Sequence, residues 1–279
     1  MRNTISFMSA NYIAREIGWH MPGGWMQGDG AANAWFSPVE TFPERFDGLL
    51  RSVKALGYDA CDIWTAHLNW SWATDRHLSA ARELLERHGM TVPSLAGGFG
   101  GTIEELRAAC RVAQAVGAPV LGGGTALLVE QRGGLVGVLR EHGLKLGVEN
   151  HQEKTPRELL GRLGKGDEDV VGAAVDTGWF GTQGYDAALA LEALAPRLLQ
   201  VHLKDIKARR KEKTGFQLVD AGHETCRLGG GIVPVAECVR VLRRLGYGGA
   251  IAIEHEPEDF DPSEDCRVGL RFVRDLLAE

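Results

Sequence analysis

Four ionisable side chains each close a short apolar run. Glu149 ends Lys145-Leu-Gly-Val-Glu, Asp176 ends Val171-Gly-Ala-Ala-Val-Asp, His202 follows Leu198-Leu-Gln-Val, and Glu254 ends Ala250-Ile-Ala-Ile-Glu. Burying a charged group at such a place is costly unless it finds a partner. Three carboxylates and one imidazole at one height make a hard, oxygen-rich donor set, which a divalent cation neutralises naturally. A set dominated by carboxylates suits Mn²⁺, Mg²⁺ or Co²⁺ with water or substrate oxygens completing an octahedron. A structural zinc site would favour cysteine and histidine.

For these residues to meet, the runs must be neighbouring strands, and the pattern along the chain supports this. Short β-branched or apolar runs alternate with amphipathic helical stretches, as in repeated βα units around a parallel sheet. Eight strands are expected: Thr4 to Ser9, Ala60 to Thr65, Thr91 to Ala96, Val120 to Gly123, Lys145 to Asn150, Val171 to Asp176, Leu198 to Leu203 and Ala250 to His255. Between them, Leu78, Ala81, Leu84 and Leu85 share a helical face opposite Arg82, Glu83, Glu86 and Arg87; a later helix carries Val235, Cys238, Val239, Leu242 and Leu245. Strands three to seven end near Leu95, Gly122, Glu149, Asp176 and His202, a period of about 27 residues that accommodates one strand, one helix and two short loops. Eight such units close a (β/α)8 barrel, read as a single domain over residues 1–279. A doubly wound sheet would bring a glycine-rich fingerprint after its first strand, and Phe7 to Tyr12 has none. Two intervals exceed the period, Ala10 to Thr41 and Asp205 to Gly231. They are expected to be long functional loops after strands one and seven. Because active sites of these barrels lie at the carboxyl ends of the strands, the four ionisable residues are read as chemical.

Composition narrows the partners. The 279 residues carry 37 acidic and 31 basic side chains, a formal charge of −6, and 44% hydrophobic residues. This is a globular balance without a basic stripe for nucleic acid, so a small-molecule partner is expected. No apolar run reaches the length of a membrane span and Met1 to Asn11 has no leader pattern, so a cytoplasmic location is expected. Cys61, Cys110, Cys226, Cys238 and Cys266 form no CxxC pair, and they read as buried thiols of a reducing compartment.

With Gly147-Val-Glu-Asn-His151, Ala174-Val-Asp-Thr-Gly178, Val201-His-Leu-Lys-Asp205 and Ile251-Ala-Ile-Glu254 in strand order, the chain resembles the xylose isomerase-like sugar isomerase and epimerase superfamily, which includes ketose 3-epimerases and inosose dehydratases. The resemblance implies one divalent ion held by Glu149, Asp176, His202 and Glu254, with Mn²⁺ favoured over Mg²⁺, Co²⁺ or Zn²⁺. It implies that Glu149 and Glu254 are also the acid/base pair, and that the protein is a homo-oligomer. The chemistry has its own rationale: chelation of a carbonyl and neighbouring hydroxyl stabilises the enediolate formed when a carboxylate removes the adjacent proton. Return of the proton from the opposite face gives an epimerase, and return at the neighbouring carbon gives an isomerase. Loss of a β-hydroxyl from the same intermediate gives a dehydratase. Epimerases of this group commonly place a histidine three positions beyond the aspartate ligand; here that position is Trp179, an apolar plane.

Inward alternation adds His151 beside Glu149 and Lys204 beside His202, both expected to face substrate oxygens. Lys204 either holds an enolate or forms a salt bridge inside the barrel, to Asp205 or Asp62. Asp62 and His67, at the end of strand two, are expected to face substrate. Trp19, Trp25, Trp35, Trp64, Trp70 and Trp72 cluster in the first two loop regions, with Trp179 at the sixth. Trp19, Trp64 and Trp179 are expected to wall the substrate, while an oligomer contact is the alternative for such a cluster. The run Lys207-Ala-Arg-Arg-Lys-Glu-Lys213 and the turn Gly229-Gly-Gly231 are possible anion sites, each with a plainer reading as solvated loop and helix entry.

Two other activities compete. Abasic-site endonucleases share this barrel and part of the metal shell, but they resemble a histidine-rich three-zinc site. Trp179 and the ligand-free Ser94-Leu-Ala-Gly-Gly98 remove candidate ligands for that site. A non-catalytic carbohydrate-binding barrel is the second, and retention of all four candidate ligands speaks against it.

Overall fold

The computed structural model describes residues 3–208 and 222–279, together with the backbone of 213–214 and 217–218. Eight parallel strands form a closed ring: β1 (Ile5–Met8), β2 (Cys61–Trp64), β3 (Ser94–Gly98), β4 (Val120–Gly124), β5 (Lys145–Glu149), β6 (Val171–Asp176), β7 (Leu198–Ala208) and β8 (Ile251–Glu254). Each pairs with the next, and β8 closes on β1 through Ile5 against Ile251. Helices surround the ring. In Asp75–His88 the expected inward residues Leu78, Ala81, Leu84 and Leu85 are buried, a capping box at Thr74 starts the helix, and left-handed Gly89 ends it. Each buried leucine contributes about 1.5–3 kcal/mol, which docks the helix on the barrel. In Val235–Arg244 the expected face is buried as far as Leu242, but Leu245 lies beyond the last turn and is exposed.

Three expected boundaries move, each for a local reason. Pro93 cannot donate a ladder hydrogen bond, so β3 begins at Ser94, and Thr91 makes only an isolated bridge to Ala60. Strand β7 continues five residues past Leu203, because Asp205–Ala208 pair antiparallel with His223–Cys226 above the barrel rim. The interval after β1 is not one loop. It contains two short 3-10 turns and a helix, Trp25–Phe36, which buries only Gly28, Ala32 and Phe36 and so shows little helical periodicity in sequence. The central part of the basic run, 209–212, lies outside the described residues.

Barrel-facing residues form layers. Ser6, Asp62, Ser94 and Gln200 make a buried polar layer: Asp62 accepts from Ser6, from Ser94 Oγ at 2.6 Å and from Gln200 Nε2 at 2.7 Å. Glycines on β4 leave room for it, since a Cβ on Gly122 would lie 2.3 Å from Gln200 Oε1. Gly123 has φ +148, and a Cβ there would lie 2.0 Å from the Gly97 carbonyl oxygen of β3. Gly123→Ala is therefore expected to destabilise the fold by about 3 kcal/mol or more, read by urea denaturation. A variant as stable as the parent would show that β3 and β4 separate at little cost.

Among the described residues, no helix is long and apolar enough to cross a membrane. All five cysteines are free and buried, as expected for inert thiols.

Candidate metal centre

Directly above the polar layer, the ends of β5 to β8 bring Glu149, Asp176, His202 and Glu254 together, with one donor atom from each within 4.8 Å of the others. The register explains why strand ends and a mid-strand residue meet: Asp176 pairs with His202, and Glu254 pairs with Lys204, so the stagger of the barrel lifts β7 past its neighbours. A one-residue register shift between Ala173 and Ala174 sets the alternation that turns Gln200, His202 and Lys204 inward.

Asp176 is the most constrained of the four. Its backbone is clamped by Asn150, whose amide donates to the Asp176 carbonyl at 3.0 Å and accepts from its N–H at 2.9 Å. Its Oδ1 caps the following helix, accepting from Gly178 N at 2.7 Å and Trp179 N at 3.1 Å. Oδ2 is buried without a hydrogen-bond partner. Burial pushes this carboxyl up to about 8; Lys204 opposes the shift, and the facing Glu254 and Glu149 add to it. His202 Nδ1 lies 3.0 Å from Glu149 Oε1 and 3.2 Å from Glu254 Oε2, while its Nε2 is also buried and unpartnered. Although burial acts against it, these two carboxylates raise the imidazole well above its ordinary range. Crowded carboxylates with a spare, buried oxygen are what a divalent ion would satisfy, so the residues fit one.

Lys204 supplies the positive charge nearest to this set. Its Nζ donates to Glu254 Oε1 at 2.6 Å and Glu256 Oε2 at 2.8 Å, and lies 3.8 Å from Asp176 Oδ2. The salt bridge thus goes to Glu254 and Glu256, neither to Asp205 nor to Asp62. Asp205 is occupied elsewhere: it accepts from Gly229 N and Gly231 N, both at 2.9 Å, and from Val233 N at 3.0 Å. That carboxylate takes the amides of the glycine turn that an anion would need.

The site opens into a cavity of about 1340 Å³. His151, Lys204, Trp64 and Trp179 line it. His151 and Trp179 meet edge to face at 4.7 Å, and Trp179 lies 5.7 Å from the Lys204 ammonium. Trp64 is braced by Trp25 at 5.2 Å and donates to Asp29 at 2.8 Å. Three expectations are corrected. Asp62 belongs to the polar layer one step below the site, because inward residues recur every second position and Trp64 is the β2 residue that reaches the cavity. His67 is packed against Phe36 and contacts Ser9 Oγ at 3.1 Å, away from the cavity. Trp19 turns edge-on to Tyr12 and stacks on the core.

Glu256 was missed in sequence, although the alternation that linked Glu149 to His151 continues from Glu254 to Glu256. It lines the cavity, accepts from Trp25 Nε1 at 3.3 Å, and is pushed up to about 7 by burial, against the pull of Lys204.

His67 makes a separate prediction. Burial holds it neutral, with its pKa down to about 3 from an ordinary 6.5. The folded state therefore refuses a proton the unfolded chain accepts. Its contribution is complete above pH 6.5 and is lost as pH falls from there towards 3, by about 1.4 kcal/mol per unit. Between pH 6 and 4.5, His67→Gln should lose stability less steeply than the parent in urea titrations. Parallel slopes would show that another group carries the acid sensitivity.

The family model described as xylose isomerase-like TIM barrel matches residues 50–276. Inosose dehydratase of Mesomycoplasma hyopneumoniae is 25% identical over 150 residues, 50% of either chain, so the chain spans about half the length of these curated relatives. A xylose isomerase-like TIM barrel protein of Mycobacterium smegmatis, solved in complex with magnesium, superposes with TM-score 0.70 at 17% identity over 98% of this chain and 96% of that one. A D-tagatose 3-epimerase-like protein superposes with TM-score 0.64 at 18% identity over 82% and 92%. The closed eight-strand ring and the match over most of its length place this chain in the xylose isomerase-like TIM barrel family.

Proposed function

We propose that the protein is a divalent-metal-dependent isomerase or epimerase of a ketose or keto-sugar, with Glu149 and Glu254 as its acid/base pair. The observation that carries this reading is the pair of glutamates flanking one imidazole within a donor set spanning 4.8 Å. A bound divalent ion, Mn²⁺ by preference with Mg²⁺, Co²⁺ or Zn²⁺ as alternatives, would supply positive charge to a substrate carbonyl and its neighbouring hydroxyl. Asp176, His202, Glu149 and Glu254 would hold it. Lys204 and His202 keep Glu254 ionised despite its burial, so Glu254 is the base that takes the proton beside the carbonyl. Glu149, the other carboxylate at His202 Nδ1, would deliver a second proton to the opposite face, so that the two glutamates exchange protonation states over a turnover. The Lys204 ammonium stays charged and offers a donor to oxygen that becomes negative in the reaction. Trp64 and Trp179 form apolar walls that keep water from the reacting carbon.

A second reading, elimination of a hydroxyl, is favoured by Glu256. Its carboxyl, pushed up to about 7 by burial, stands beside Lys204, where it would serve a leaving group. The partial match to an inosose dehydratase supports it.

The test is incubation of Mn²⁺-loaded protein with a panel of ketoses and keto-inositols in heavy water. Deuterium is expected at the carbon beside the carbonyl, with reversible appearance of an epimer or aldose. Irreversible growth of enone absorbance would select elimination, and the absence of exchange from every member would sink both readings.

A further inference from the structure

Resting on that reading, we propose that the substrate is an uncharged keto-glycoside: a non-phosphorylated sugar ring with a ketone on a ring carbon at the four ligands, carrying through its anomeric oxygen a second, apolar ring held in the mouth of the cavity. Size is the first argument. The cavity of about 1340 Å³ exceeds the roughly 300–1,000 Å³ typical of pockets for drug-sized ligands, and a single sugar ring would leave most of it to water.

The distribution of polarity is the second. The floor carries the ligands, Lys204 and Glu256. The mouth carries Pro22, Trp25, Met26 and Phe260, of which Met26 is 71% and Phe260 43% exposed. A free hexose presents hydroxyls in every direction and gains little from such a rim, whereas an aryl group would cover it. The rim is also tied to the floor. Trp25 donates to Glu256, Glu256 accepts from Lys204, and Phe260 packs 5.6 Å from His255, the residue after Glu254. A ring bound against Trp25 therefore sits next to the ligand set.

Charge is the third argument. Besides the ligands, Glu224, Glu256, Glu258, Asp259 and Asp265 line the cavity, against Lys204, Lys207 and Arg227 among the described residues. Lys204 is engaged by Glu254 and Glu256, and Lys207 pairs with Glu224 at 3.0 Å. Among the described residues a phosphate would meet net negative charge, and the glycine turn that might have received it is filled by Asp205.

Binding tests this without requiring turnover. Calorimetry of the Mn²⁺-loaded protein would compare phenyl and methyl glycosides of glucose, galactose, mannose and xylose with glucose 6-phosphate and fructose 6-phosphate. The phenyl member of at least one pair is expected to bind about 10- to 100-fold tighter than its methyl partner. Phe260→Ala should abolish that preference, and Trp25→Ala should do the same if it folds. Equal binding of phenyl and methyl members, no binding of any glycoside, or tighter binding of a sugar phosphate would overturn the proposal. So would a phenyl preference that survives Phe260→Ala while the same change dissociates an oligomer, because the rim would then be a contact between copies. Deuterium exchange into free ketoses without a phenyl preference sinks this inference alone. A phenyl preference without exchange into any ketose or keto-glycoside sinks the enolisation reading alone.

Discussion

Asp176→Ala and His202→Ala are expected to abolish metal retention and lower the rate of deuterium exchange by about a thousandfold or more. Elemental analysis of the parent, dialysed after incubation with Mn²⁺, should find about one ion per chain. Asp176 offers one oxygen that has no hydrogen-bond partner in the described protein, and His202 contacts two further ligands. Removing either leaves three donors in a site whose remaining carboxylates repel one another. A bound ion contributes several kcal/mol to charge stabilisation in such reactions, and each 1.36 kcal/mol is tenfold in rate. His151→Ala removes a cavity wall without removing a donor, so it should retain the ion and serve as the control. Uptake of none of Mn²⁺, Co²⁺, Mg²⁺ and Zn²⁺ by the parent would reject the metal centre altogether.

Lys204→Met is expected to cost the metal-free protein about 3–5 kcal/mol, the usual penalty for breaking a buried ion pair from one side. Three carboxylates depend on that ammonium: Glu254 and Glu256 by direct contact, and Asp176 at 3.8 Å. Urea titrations with chelator present would read the loss. Excess Mn²⁺ should recover much of it, because the ion replaces the missing positive charge and binds only the folded state. Glu256→Gln in the same background should also recover part, since one of the stranded charges is gone. If the metal-free Lys204→Met protein is as stable as its parent, Lys204 does not compensate the cluster, and its role would be confined to substrate.

The barrel was legible because its evidence is local and repeated. Eight apolar runs alternating with amphipathic helices, strands three to seven at a steady spacing, need no knowledge of distant contacts to be recognised. Lys145-Leu-Gly-Val-Glu, Val171-Gly-Ala-Ala-Val-Asp and Ala250-Ile-Ala-Ile-Glu announced both their strands and the polar residue at the end of each. The helix Trp25–Phe36 was not legible, because Gly28 and Gly30 and a face of only three buried residues give it no clear period.

What the sequence by itself determined, then, was the set of strands, the end of the barrel at which chemistry is placed, and the four residues that meet there. These follow from periods of 2 and 3.6 and from the cost of burying charge, which act on neighbours in the chain. Only the tertiary structure decided the depth at which each inward residue stands. Asp62 and Trp64 share a strand and a face, yet one lies in the sealed polar layer and the other in the cavity wall. Depth depends on the stagger between strands, and stagger is a property of the closed ring that no single strand encodes. The same closure chose the partners of Lys204, bringing Glu254 and Glu256 from fifty residues away to within 2.8 Å while Asp205 and Asp62 turned to backbone amides and to serines.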